Sequence, residues 1–195
     1  DAPKYGNDDS RADAIGKAAR DGILACFDHY NKLGGASGRR LELTALDDGG
    51  DGAKTLANAK SLVDQRKVFA MLGTVGTAAG AQLAPYMVNK RALLFGSVSG
   101  AAELHKNPPD RYVFNFRPSV EVEIKRLVYY FTTNRQPQIS AKNLALFAQG
   151  DDGAGKLDAH GQSAYDAVTS VLDTGFKISK ANIVAATHTR GTLDT

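Results

Sequence analysis

The sequence predicts an α/β fold built on a doubly wound parallel sheet. Amphipathic helical segments alternate along the chain with short, continuous apolar runs, such as residues 68–72 and 92–95. An apolar run of that length is typical of a parallel strand that is covered on both faces. Glycine-rich turns separate the segments, which suits tight strand–helix joints. The regular alternation favours a parallel sheet with helices packed against it.

The first helix is predicted to follow a polar N-terminus. Residues 1–10 are poorly patterned, and Ser10 is the predicted helix cap. Gly34 and Gly35 are predicted to end the helix, because glycine readily adopts the left-handed conformation found there. Apolar residues recur at helical spacing and predict one buried face: Ile15, Ala19, Gly22, Ile23, Cys26, Phe27, Tyr30 and Leu33. On that face the lone cysteine is interpreted as a buried, unreactive side chain.

The remaining segments continue the alternation. Residues 41–46 are predicted to form a buried strand, and Asp51 is a natural N-cap for the helix that follows it. Gly175 is the predicted end of the last helix. Further strands are predicted at 68–72, 92–95, 112–116, 143–147 and within 176–186, helices at 51–65, 77–89, 119–133 and 158–172, and a helical turn at 100–105.

Six stretches carry a family resemblance: residues 31–43, 47–48, 61–64, 68–77, 92–101 and 112–119. Together they resemble the periplasmic type I solute-binding proteins, and among these the branched-chain amino-acid (leucine/isoleucine/valine) receptors of ABC transporters. The resemblance implies a two-lobed fold, with residues 1–117 forming most of lobe 1 and residues 118–195 the start of lobe 2. The resemblance also implies a first strand within residues 1–10, which would be eroded, cut away or disordered in this chain. Because the family continues further, we expect this chain to be about half of a receptor.

Two loops at predicted strand ends are candidates for a ligand site. Residues 73–78 follow one strand and open a helix, and residues 96–100 follow the next strand. Ligands of doubly wound sheets bind beyond the carboxyl ends of the strands. Glycine lets the backbone approach a ligand, and hydroxyls and a helix N-terminus can hold a carboxylate. The alternative is that these glycines and serines only make tight turns, which are common in such folds.

In the branched-chain receptors these two loops bind the α-carboxylate and ammonium of the ligand. To within one residue, the resemblance implies ligand-binding roles for Thr77, Ala78, Val98, Ser99 and Gly100. It implies a protein that is not an enzyme, with no cofactor, that captures a small solute such as an amino acid or a related carboxylate. The implied partner is a membrane ABC permease, and the implied location is periplasmic, or extracytoplasmic and membrane-tethered.

The resemblance does not fix the identity of the ligand. Ile15 stands about where the family often has an aromatic residue that faces the ligand. Residues 149–156 lack the aromatic residue that is common in lobe 2. A ligand-sensing domain of a receptor or regulator with the same fold is the alternative function.

Other functional classes have weaker support. Residues 150–156 fit the pattern G-x-x-x-x-G-K of a phosphate-binding loop, but Leu157 occupies the position of the Ser or Thr that binds magnesium. We therefore interpret residues 150–156 as a surface loop, and a nucleotide-using α/β enzyme is a remote alternative function. The four histidines are scattered, without the spacing of a metal site. A net charge of +3, spread along the chain, does not indicate a nucleic-acid partner.

Overall fold

The computed structural model describes residues 11–150 and 156–189. They form two compact units. The first unit comprises residues 11–99 and 108–117, and the second comprises residues 100–107, 118–150 and 156–189. The strand and the Ser10 cap expected within residues 1–10 lie outside the described residues.

A parallel sheet organises the first unit. Its strands are β1 (Ala70–Leu72), β2 (Leu93–Phe95) and β3 (Val113–Phe114), in the order β1-β2-β3. Its helices are α1 (Arg11–Lys32), α2 (Gly52–Lys60), extended by a π-helical turn (Ser61–Gln65), and α3 (Thr77–Lys90). Leu83 and Met87 of α3 and Leu94 of β2 are fully buried, so α3 supplies much of the core.

The second unit pairs two strands in parallel. They are β4 (Ala145–Gly150) and β5 (Val184–Thr189). The helices are α4 (Val120–Tyr129), continued by a π-helical turn (Tyr130–Asn134), and α5 (Ala159–Phe176), with 3-10 turns at Ala102–Leu104, Ala141–Asn143 and Lys180–Asn182. The hydrophobic core of this unit contains Val128, Val168, Val171, Leu172 and Ile178.

Several local predictions are confirmed. The Asp51 carboxylate caps α2 by accepting hydrogen bonds from the backbone N–H groups of Ala53 and Lys54, at 2.7 and 3.1 Å. Helix α1 ends at Lys32, shortly before two glycines with positive φ.

The strand predicted over residues 68–72 is shorter than expected. It begins only at Ala70, and the Phe69 side chain is 90% exposed. No helix within the described ranges is long and apolar enough to cross a membrane.

The strand predicted over residues 41–46 is wrong: the structure has no strand there. Its half-buried residues, Leu41, Leu43 and Ala45, alternate with exposed ones, which produced the strand-like pattern. The backbone of Leu41, however, bonds to a side chain rather than to a neighbouring strand. The amide of Asn31 donates to the Leu41 carbonyl at 2.9 Å and accepts from the Leu41 N–H at 2.8 Å.

The predicted burial of Cys26 is also wrong, because this side chain is exposed. The half-buried stripe of α1 passes through Ile23, Phe27 and Asn31 in steps of four residues. Cys26 precedes Phe27 by one residue, which displaces it by about 100° around the helix. The stripe is also narrower than the apolar pattern suggested, since Ile15 is 45% and Tyr30 53% exposed.

The prediction that Gly175 ends α5 is wrong. The helix continues to Phe176, and Lys177 adopts the left-handed conformation, with φ of 56°. Its N–H donates to the Asp173 carbonyl at 3.1 Å. Gly175 serves packing instead, because a Cβ there would lie 2.9 Å from the Tyr129 hydroxyl of α4.

Candidate functional site

The two candidate loops begin with a matched pair of glycines. Leu72 of β1 lies beside Phe95 of β2, so the next residues, Gly73 and Gly96, stand at the same level of the sheet. Both have positive φ, of 60° and 66°. This conformation is unfavourable for residues with a Cβ. Both strands therefore change direction at one level, and the two loops stay side by side.

Pairing between the loops resumes beyond the glycines. Val75 and Val98 form a parallel bridge. The Val98 N–H donates to the Thr74 carbonyl at 2.7 Å, and the Gly76 N–H donates to the Val98 carbonyl at 3.2 Å. The side-chain hydroxyls of Thr74 and Ser97 also share a hydrogen bond of 2.8 Å. These contacts place the start of α3 next to the loop that follows β2.

Helix α3 begins without a capping side chain. Its N-cap is Gly76, with φ of 105° and ψ of 151°, and no side-chain cap hydrogen bond is made. Side chains cap the other α-helices whose N-caps lie in the described ranges: Asp51 for α2, Ser119 for α4 and Asp158 for α5. A helix N-terminus carries a partial positive charge and favours an anion. The first turn of α3 thus offers an electropositive position at the carboxyl end of the sheet.

Four of the five residues predicted from the sequence belong to the first unit. Thr77 and Ala78 are the first two residues of α3, and both are half-buried. Val98 is half-buried in the adjacent loop and takes part in the bridge between the loops. Ser99 follows it and is only 2% exposed. The Val75–Val98 bridge therefore brings the segment that contains Val98 and Ser99 beside the approach to α3.

Gly100, the fifth residue, belongs to the second unit and has a packing role there. Its carbonyl accepts a hydrogen bond from the Val120 N–H at 3.1 Å. A Cβ at this position would lie 2.9 Å from the Val120 backbone nitrogen. Because backbone cannot move aside as a flexible side chain can, a larger residue would disturb the start of α4.

Sequence reasoning overlooked Thr74 and Ser97, whose hydroxyls join the two loops. A signal for them was present. Residues 73–75 read Gly-Thr-Val and residues 96–98 read Gly-Ser-Val, so a glycine, a hydroxyl residue and a valine follow each strand in the same order. The register of β1 and β2 places the two copies side by side.

The far end of α3 is anchored by a small polar cluster. The Tyr86 hydroxyl donates to Asp64 at 3.0 Å, and the Lys90 ammonium lies 2.8 Å from the same carboxylate. Burial, aided by Asp64, raises the pKa of Tyr86 to about 12. The hydrogen bond from Lys90 holds the pKa of the Asp64 carboxyl below its ordinary value. The cluster ties α3 to the π-helical turn after α2, away from the N-terminus of α3.

The phosphate-loop pattern finds no support in the residues described at its end. Residues 151–155 lie outside them, and Lys156 is exposed. The Asp158 carboxylate caps α5 by accepting from the Gly161 N–H at 2.8 Å, and it also accepts from the Gln149 side-chain amide. A protein carboxylate thus occupies the helix N-terminus where a phosphate-binding loop would hold phosphate.

In the described parts of the chain, no three His, Cys, Asp or Glu side chains lie together as metal ligands would.

Comparison with known protein families identifies the family of this chain. Residues 6–186 match the family described as periplasmic binding protein. The chain belongs to this family. Among curated proteins, none matches the sequence.

Solved structures of periplasmic binding proteins share the fold. A possible leucine/isoleucine/valine-binding protein from Rhodopirellula baltica is 25% identical, with a TM-score of 0.80, over 96% of this chain and 47% of that one. A substrate-binding periplasmic protein from Ralstonia solanacearum is 23% identical, with a TM-score of 0.72, over 97% and 48%. The branched-chain amino acid transporter substrate binding protein of Streptococcus pneumoniae, in complex with isoleucine, is 19% identical, with a TM-score of 0.66, over 98% and 49%.

These similarities confirm the family resemblance and the predicted type I α/β fold with parallel sheets. They also give the extent of the match. The chain spans about half the length of the periplasmic binding proteins to which it is similar.

Proposed function

We propose that this chain is part of the extracytoplasmic solute-binding component of an ABC transporter, and that it captures a small carboxylate-bearing solute such as an amino acid. One observation carries the proposal. The N-terminus of α3, which has no capping side chain, begins beside the loop after β2 at the carboxyl end of a parallel sheet. This is where ligands of open α/β sheets bind.

A carboxylate is the solute group that suits this position. The first turn of α3 presents backbone N–H groups and the positive end of the helix dipole. Thr77 adds a hydroxyl at the first helical position, and the small side chain of Ala78 follows it. Hydrogen bonds to a charged group contribute about 1.5–3 kcal/mol each. Two or three of them account for much of a micromolar affinity, about 8 kcal/mol.

The relatives favour an amino acid among carboxylate solutes. The protein from Rhodopirellula baltica carries the description leucine/isoleucine/valine-binding, and the one from Streptococcus pneumoniae holds isoleucine. In our proposal the solute is held first by the loops that contain Thr77, Ala78, Val98 and Ser99, and Gly100 continues the second loop. A second lobe, starting at Pro118, then closes over the solute by a hinge motion. A membrane permease recognises the closed protein, which performs no catalysis.

The test is calorimetric titration of amino acids and small organic acids into the full-length protein. Ala78→Glu places a negative charge in the first turn of α3, and Ala78→Gln is the matched neutral control. Ala78→Glu should weaken carboxylate binding by about tenfold or more relative to Ala78→Gln, while the helix dipole favours the new charge and preserves stability. Ser99→Ala should weaken binding by roughly tenfold.

Two results would contradict the proposal. One is a full-length protein that binds none of these compounds. The other is equal affinity for the same ligand in the Glu and Gln variants at residue 78, which would place the carboxylate away from α3. Substitution of Gly100 is unsuitable for this test, because its effect on the packing of Val120 would obscure an effect on binding.

A further inference from the structure

We infer that the hydrogen bond between the Thr74 and Ser97 hydroxyls fixes the two solute-binding loops relative to each other, which makes both residues positioning residues for the solute. The inference rests on the proposed function for its ligand. Neither residue is among the predicted contacts. Their importance follows from where the regular sheet stops and how the loops are joined beyond that point.

The hydroxyl pair lies two residues beyond the end of each strand. Gly73 and Gly96 turn both strands out of the regular ladder, and Thr74 and Ser97 are the residues that follow. Two backbone hydrogen bonds then join the loops, at 2.7 and 3.2 Å. The hydroxyl bond, at 2.8 Å, is a third connection, made by side chains rather than backbone. It therefore depends on residue type, whereas the backbone bonds do not.

The surroundings of the pair make this bond effective. Ser97 is 3% exposed and Thr74 is half-buried, so water competes poorly for either hydroxyl. A hydrogen bond in such a site is stronger than in water, and a buried hydroxyl that loses its partner is destabilised. Thr74 is also β-branched, which restricts rotation of its side chain. The bond thus resists separation of the loops.

The consequence for binding is pre-organisation. The Thr74 carbonyl accepts from the Val98 N–H, and the Val98 carbonyl accepts from the Gly76 N–H, one residue before α3. Holding Thr74 against Ser97 therefore holds the second loop against the start of the helix. A ligand that meets loops already in position loses less free energy to their ordering.

The test combines two measurements on the full-length protein and its Thr74→Val, Ser97→Ala and double variants. The first is hydrogen exchange at the Val98 and Gly76 amides without ligand. The second is the Kd of the tightest amino acid or organic acid found by titration. Thr74→Ser keeps a hydroxyl and is the conservative variant. Thr174→Val is the matched control, because among the described residues the Thr174 hydroxyl bonds only within α5, to the Ser170 carbonyl.

We expect both single variants to accelerate exchange at the two amides, and to raise the Kd, by about 3- to 10-fold. The double variant should show little further change, because either substitution already breaks the same bond. Thr74→Ser and Thr174→Val should stay within about twofold of wild type. A purely structural role would instead lower Tm while leaving the Kd unchanged.

Unchanged exchange in both single variants, or faster exchange with an unchanged Kd, would overturn the inference. Additive effects in the double variant would also overturn it, because they would show that the two hydroxyls act separately. A wild-type protein that binds no carboxylate would overturn the proposed function instead. The exchange rates alone would then support or overturn the role of the hydroxyl bond in fixing the loops.

Discussion

The side chain of Asn31 bonds to both backbone groups of one residue, Leu41. Its amide nitrogen donates to the Leu41 carbonyl and its amide oxygen accepts from the Leu41 N–H, at 2.9 and 2.8 Å. An adjacent strand would satisfy the same two groups in the same way. The last turn of α1 therefore replaces a strand neighbour for the segment that begins at Leu41.

Asn31→Ala is expected to destabilise the protein by about 1–3 kcal/mol, because it leaves two partly buried backbone groups without these partners. Urea unfolding of the full-length protein measures the change. Lys32→Ala is the control, since it removes only an exposed ion pair with Asp28 and should cost about 0.5 kcal/mol or less. Equal midpoints for the Asn31 and Lys32 variants would contradict a structural role for the amide.

The cap of α2 gives a second prediction. Asp51→Ala removes the acceptor for the Ala53 and Lys54 N–H groups and should cost about 1 kcal/mol. Asp51→Ser retains a capping oxygen and should recover most of the loss. Thermal unfolding of both variants separates the loss of a cap from the loss of a charge. Equal destabilisation by Ala and Ser would assign the effect to charge.

Stability should fall in alkali because of Tyr86. Its pKa is raised from 10.0 in the unfolded chain to about 12 by burial and by Asp64. The stabilisation is therefore complete below about pH 10 and is lost as the pH rises toward 12. Tyr86→Phe should have a smaller decrease in Tm over that range than wild type. Tyr30→Phe, which alters an exposed ring, should retain the wild-type decrease.

Stability should also fall in acid, because of the Asp64 carboxylate. The hydrogen bond from Lys90, aided by Tyr86, lowers its pKa from the ordinary value of 3.8. This contribution is present above about pH 4 and is lost as the pH falls through the lowered pKa. The Tm of Asp64→Asn should therefore depend less on pH below 4 than that of wild type. Parallel acid curves for the two proteins would show that Asp64 gains nothing from these partners on folding.

Cys26 should react with a maleimide in the native protein, because its side chain is exposed on α1. The labelling rate should approach that of the urea-unfolded chain, and Cys26→Ser should remain unlabelled. Protection by a factor of about 100 or more would mean that Cys26 is reached only through local unfolding.

Structural features that depend on residues within one helical turn could be predicted from the sequence. Features that depend on distant residues could not. The Asp51 cap depends on residues two and three positions away, so its prediction needed no tertiary structure. The extended segment at Leu41 depends on Asn31, ten residues earlier, and composition does not reveal that a side chain supplies the pairing. The role of Gly175 depends on Tyr129 of another helix.

The candidate site was also predictable only in part: the sequence indicated the loops but not the contacts between them. Glycine and hydroxyl residues after two apolar runs indicated which loops to consider. Which hydroxyls meet depends on the register of β1 and β2, which places Thr74 against Ser97. The matching order of glycine, hydroxyl residue and valine in the two loops is consistent with this pairing but does not by itself fix the register. The packing role of Gly100 likewise depends on the path of the chain near Val120.

The backbone at Gly76 restricts how this region can evolve. With φ of 105° and ψ of 151°, it occupies a region that is essentially confined to glycine. Asp, Asn, Ser and Thr, which elsewhere stabilise a helix start, would be strained here. At the N-cap position itself, a single substitution therefore does not readily give α3 an internal acceptor. The absence of a capping side chain at residue 76 is thus maintained by backbone conformation, independently of selection on what binds there.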